Sequence, residues 1–247
     1  MIGALNQMTG GQAPTAIAVA TLIVTYVLAV TIRNSRKRRE RASWGPRIGN
    51  YVGIIAQSWL YLVAVLVIVG CLVLRRPGDT FAAALHDMGL HAQLPPTDVA
   101  VWSMAMVAVA TLLSSAVTYL RNALGGRPSV AGLDILPETP AETAVFSLLV
   151  APTAGICEEV VYRGFLVGQL WILTNNPWLA AAIGSLFFGL AHLYQGWWGV
   201  FRTGVIGFVF AVGLIMTGSL IPSIIAHTLA NMLGAAFRKP AAPQPAA

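Results

Sequence analysis

The chain has 247 residues, 57% of them apolar and only 10% charged, with a mean hydropathy of +0.73. A soluble domain carries about 25% charged residues, so this composition excludes one and points to an integral, polytopic bundle of transmembrane helices, an all-α fold. The net charge of +6 is read first as loop topology, and nucleic-acid binding is not needed to explain it.

In chain order, residues 1–14 form a short polar, glycine-containing lead with no basic n-region and do not read as a cleaved signal peptide. Residues 15–32 are free of charge and long enough to cross about 30 Å of hydrocarbon at 1.5 Å per residue, which predicts the first span. Arg33, Arg36, Lys37, Arg38, Arg39, Arg41 and Arg47 follow as the densest charge cluster, a cytoplasmic topology anchor. Residues 52–74 and 99–120 are the second and third spans, both uncharged. Between them, the LHDMGLH stretch at 85–91 predicts a short interfacial helix, whose His86 and His91 are five apart and so do not share a helical face as a metal pair would.

A turn-rich loop with Pro137 and Pro140 leads to a helix start at Thr139 to Glu142. The fourth element, 141–173, is too long for one perpendicular span, and Pro152 supplies the expected kink. Residues 178–193, 200–216 and 220–237 give spans five to seven, and 238–247 a Pro/Ala tail expected to be disordered. With the N-terminus outside, seven spans put twelve of the fifteen basic residues on one side, as cytoplasmic loops require. An eighth, kinked or interfacial helix is compatible with the same pattern. The two cysteines, Cys71 and Cys157, lie in apolar runs and support no disulfide framework.

Within the fourth element, GICEEVVYRGFLVGQL (155–170) places Glu158, Glu159 and Arg163 between two apolar flanks. Each charge at bilayer depth costs roughly 2.5–3.5 kcal/mol, so three unpaired ones would endanger a small membrane fold. Glu159 and Arg163 are i and i+4 with the acid first, the favourable order for a pair. Glu158 points about 100° away from Glu159 and needs partners from other helices. The available ones are His192 near the end of span five and His227 in span seven, with Asn231 at i+4 from His227 and Phe188 at i−4 from His192.

This set suits hydrolysis. A carboxylate and an imidazole can hold and deprotonate a water, while a second imidazole and an amide donate to the oxyanion. Glu158, His192 and His227 are also ordinary ligands for a divalent metal such as zinc, although HExxH is absent, as are a GxSxG elbow and a Gly-rich phosphate loop. Cys157, beside Glu158, reads as a packing residue rather than a nucleophile. If the set converges, one shared water requires Glu158 and an imidazole to lie about 4–6 Å apart.

EEVVYR (158–163), FGLAH (188–192) and HTLAN (227–231) match, in order, EExxxR, FxxxH and HxxxN. Together they resemble the CAAX protease and bacteriocin-processing family of intramembrane endopeptidases, also called the Abi family. The resemblance covers about 141–237, leaving 1–140 as N-terminal spans that shape substrate entry. It implies that Glu158 and His192 activate water, that His227 and Asn231 stabilise the oxyanion, and that Glu159 and Arg163 support the geometry. It leaves open whether a metal takes part. The implied partners are the bilayer and a membrane-associated peptide or protein, with processing of a CAAX-like tail, a peptide precursor or a sorting signal, in a bacterial cell membrane. The competing expectation is a non-proteolytic membrane protein, an ion-coupled transporter or an immunity or signalling scaffold. A transporter predicts internal repeats with paired broken helices, and no such repeat is visible.

Overall fold

The computed structural model describes residues 47–73, 80–90, 94–126 and 135–237. The predicted first span, His91 and the C-terminal tail lie outside them. The described residues form an all-helical bundle without strands. Its helices are α1 (Arg47–Val73), α2 (Phe81–Asp87), α3 (Pro96–Ala123), α4 (Pro140–Thr174), α5 (Pro177–Ala191), α6 (Gly196–Thr217) and α7 (Ile221–Ala236).

Among the described residues, α1, α3, α4 and α6 with its preceding turn are long and apolar enough to cross a membrane. Spans five and seven are shorter than expected. With 15 and 16 residues, α5 and α7 reach only about 22 and 24 Å, less than a bilayer core. They are packed within the bundle instead. Met106, Val107 and Ala110 of α3 pack on Phe210 of α6 and Ala226 of α7, and Ser103 Oγ donates to the Pro222 carbonyl at 3.2 Å. Gly155 of α4 lies so close to α7 that a Cβ there would clash with the Thr228 hydroxyl and come within 2.9 Å of the Ile224 carbonyl oxygen. Small residues at a crossing allow such backbone approach, the usual basis of helix association in lipid.

α4 begins as expected, with a capping box in which Thr139 Oγ1 accepts from the Glu142 N–H at 3.2 Å and Glu142 Oε2 accepts from the Thr139 N–H at 3.2 Å. Arg47, at the start of α1, pairs with Glu138 at 2.5 Å, so α1 and α4 start at the same end of the bundle. That agrees with the count of basic residues. The expected irregularity at Pro152 takes the form of a π-helical turn at Phe146–Val150, just before it. Proline has no N–H to donate and its ring crowds the carbonyl four residues back, and widening the turn accommodates both.

The interfacial helix is displaced from its predicted position. α2 starts at Phe81, capped by Thr80, and has no buried residue, whereas the Met88–Gly89 turn after it enters the core. Met88 packs with Cys157, Val160, Leu214 and Leu220. The Gly89 carbonyl accepts the Leu220 N–H at 2.9 Å, where α7 begins. Gly89 has φ +82, and a Cβ would meet Leu214 Cδ1 at 2.9 Å, so the turn requires glycine twice over.

Tyr51 near the start of α1 and Ala235 near the end of α7 share one apolar cluster, so these two helix ends lie on the same side of the bundle. With Cys71→Ser as background, single cysteines at Ser35 and Ala241 are expected to react with the same membrane-impermeant maleimide from the same face. Labelling from opposite faces would overturn the seven-span arrangement.

Candidate active site

The EEVVYR motif sits where α4 widens again, in a π-helical stretch over Glu159–Val167 in which every residue is buried. The Glu159–Arg163 pair survives this geometry. Arg163 Nη1 donates to Glu159 Oε1 at 2.9 Å, with the two side chains 1% and 0% exposed. The same oxygen receives His227 Nδ1 at 2.7 Å, across from α7. A buried ion pair is stable only when further contacts offset its desolvation, and here they are aromatic as well as polar. The guanidinium lies 4.1 Å above the Phe188 ring of α5 and 5.6 Å from that of Phe210 in α6. Gly207 leaves it room, since a Cβ there would stand 3.0 Å from Arg163 Nη2.

Glu158 turns the other way. Its side chain is 27% exposed, and Oε2, buried and without a hydrogen-bond partner, lies 3.9 Å from His227 Nε2. That is too long for a direct bond and lies just below the expected shared-water distance. His227 therefore stands between the two carboxylates, with Nδ1 on Glu159 and Nε2 towards Glu158. Because only a carboxylate oxygen faces Nδ1, that nitrogen carries a proton. The same reasoning fixes His192, which caps the C-terminus of α5. Its Nδ1 donates to the Phe188 carbonyl at 2.9 Å, so in the neutral ring Nε2 keeps the lone pair. The Phe188 ring packs edge-on against both imidazoles, with centroids 4.8 Å from His192 and 6.2 Å from His227.

Glu158, His192, His227 and Asn231 line one cavity of about 620 Å³. Glu159 and Arg163 are not in its wall and lie behind it. Cys157 borders the cavity but is 1% exposed and packed among Val160, Val161 and Leu214, as its packing reading requires. His86 is paired with Asp87 at 3.8 Å and is not among the residues lining the cavity.

Among the described residues no group of three or more His, Cys, Asp or Glu is placed to hold a metal ion, and the Nδ1 bonds of His192 and His227 leave the Nε2 atom of each ring available.

Sequence reasoning missed several features of this site. The π-helical winding has no local residue signal beyond Gly164, where a Cβ would stand 3.0 Å from Leu220 Cδ1. Gln57 and Tyr61 of α1 also line the cavity, with Gln57 Nε2 donating to the Tyr61 hydroxyl at 2.5 Å. A carboxamide inside span two was the available signal.

Breaking the buried pair from one side leaves a charge in low dielectric. Arg163→Ala is expected to destabilise the detergent-solubilised protein by about 3–5 kcal/mol, and Glu159→Ala with Arg163→Ala by less. A double variant no better folded than the single one in thermal unfolding would count against the pair.

No curated protein and no solved structure matches the chain. Residues 140–233 match the family model described as type II CAAX prenyl endopeptidase Rce1-like. The matched segment runs from the first residue of α4 into the last turn of α7 and contains Glu158, Glu159, Arg163, His192, His227 and Asn231. Over residues 140–233, this integral membrane chain thus carries an Rce1-like domain, similar to the type II CAAX prenyl endopeptidases.

Proposed function

We propose that the chain is an intramembrane endopeptidase that hydrolyses a peptide bond near the membrane-associated terminus of a peptide or protein substrate, using water activated by Glu158 and His192. The observation that carries this reading is the meeting of α4, α5 and α7 around one cavity, where the partnerless Glu158 Oε2 lies 3.9 Å from His227 Nε2.

A water held between the Glu158 carboxylate and the free Nε2 of His192 gives its proton to Glu158 as its oxygen attacks the scissile carbonyl. The negative charge that develops on the carbonyl oxygen is met by the Asn231 amide and by Nε2–H of His227 in its doubly protonated form, oriented by Glu159. Glu158 then returns the proton to the amide nitrogen as the C–N bond breaks, leaving a carboxylic acid and an amine, which exchange a proton to become carboxylate and ammonium. Glu159 and Arg163 touch neither water nor substrate and act as positioning residues. The substrate is bound as an extended chain, because a helical segment hides its carbonyls in its own hydrogen bonds. CAAX-like tails, peptide precursors and sorting signals all present such a segment.

Glu158→Gln keeps shape and hydrogen bonding but cannot take the proton. Cleavage is expected to fall by about 10²–10⁴-fold while the variant inserts and accumulates normally. The readout is the set of membrane-protein termini in cells carrying either form. Equal loss of folded protein would instead assign Glu158 a packing role. Cys157→Ala is expected to remain active, and a folded but inactive variant would revive a thiol mechanism.

The same reading expects purified enzyme to retain activity after exhaustive chelation. Loss of activity that returns with added zinc would show that Glu158, His192 and His227 rearrange around a metal.

A further inference from the structure

The cavity does not end at the motif residues. Its wall continues to Arg121 in the last turn of α3 and to Trp198 and Arg202 in the first two turns of α6. It also includes Ile135 and Leu136, which precede α4, so it reaches the end of the bundle where α4 begins.

The arginines divide by position. Among the described residues, Arg163 and Arg47 lie outside the cavity wall and both pair with glutamates. Arg121 and Arg202 line the wall and pair with no carboxylate among the described residues. Their partners are neutral amides: Arg121 donates to Asn122 Oδ1 at 3.2 and 2.9 Å, and Arg202 to Gln195 Oε1 at 3.1 Å. A guanidinium has five N–H donors, so each has donors to spare. Two cations facing one partly enclosed space raise its positive potential, and an anion entering it relieves their repulsion.

The arrangement is built rather than incidental. The Gly126 N–H donates to the Arg121 carbonyl at 2.8 Å. Gly126 is wedged so closely that a Cβ would meet Trp198 Nε1 at 2.7 Å and Arg121 Cγ at 2.8 Å. This contact holds the end of α3 against the start of α6, and with it both arginines at one cavity.

We propose that Arg121 and Arg202 form an anion subsite that receives the C-terminal carboxylate of the peptide bound in the cavity. The inference rests on the endopeptidase reading, since that reading makes a peptide the occupant. A lipid phosphate offers the same oxyanion chemistry, so the test separates the two sources. Bidentate geometry suits either one.

Binding can be measured without turnover, using full-length Glu158→Gln protein in neutral phosphatidylcholine nanodiscs. The probes are a palmitoylated, fluorescent alanine–valine decapeptide with a free C-terminal carboxylate and its C-terminal amide. The acid is expected to bind about 10- to 100-fold more tightly than the amide, the range of one or two charge-assisted hydrogen bonds. Arg121→Gln with Arg202→Gln should bring the acid down to the amide's affinity and leave the amide unchanged, whereas Arg202→Lys should keep part of the preference. Phosphatidylglycerol in the discs should not abolish it. Equal binding of acid and amide, no saturable binding of either, equal loss of both in the double variant, or an acid preference erased by phosphatidylglycerol would overturn the subsite. Because cleavage is not read, these outcomes leave the hydrolase reading to its own test with Glu158.

Discussion

Glu159 Oε1 is the atom on which the rest of the site depends. It accepts from Arg163 on its own helix and from His227 on α7, while the Arg163 guanidinium stacks on Phe188 of α5 and faces Phe210 of α6. Four helices therefore meet at one ion pair. In an apolar interior such a pair is tolerated only when several contacts offset the loss of water, and the same low dielectric strengthens every bond that is made. The network sets the register of α7 against α4 more tightly than apolar packing alone, because sliding by one residue would strand a charge.

Two glutamates adjacent in sequence meet opposite fates. Glu159 is fully buried and accepts two hydrogen bonds on Oε1, whereas Glu158 is 27% exposed at the side chain and reaches the cavity. Successive residues on a helix point about 100° apart, so one turn of α4 gives one carboxylate to the core and one to the space where chemistry can occur. The carboxylate in the core bonds to His227 Nδ1, and the one at the cavity lies 3.9 Å from His227 Nε2. His192, at the C-terminal end of α5, and His227, within α7, both line the same cavity.

The cavity wall also crosses the start of the family match. Gln57 and Tyr61 of α1 and Arg121 of α3 contribute to it, although the match begins at residue 140. The N-terminal helices are thus part of the space that a substrate would enter. Residues on both sides of that boundary therefore shape one space.

Much of this was legible along the chain. Uninterrupted apolar runs in a chain with 10% charged residues left helices as the way to satisfy the backbone in lipid. The capping box at Thr139, the Glu159–Arg163 pair and the polar set Glu158, His192, His227 and Asn231 follow from spacing alone, because i, i+3 and i+4 relations are local properties of a helix. Other features depended on which helices touch. His227 bonds to Glu159 rather than Glu158, Phe188 and Phe210 enclose Arg163, and the Met88–Gly89 turn supports the start of α7. The shortness of α5 and α7 and the π-helical winding of the motif likewise reflect a fit against neighbours. Local periodicity states which face a side chain occupies. Only the tertiary structure decides what stands opposite that face, because contacts between residues 68 positions apart, such as Glu159 and His227, are set by the packing of whole helices.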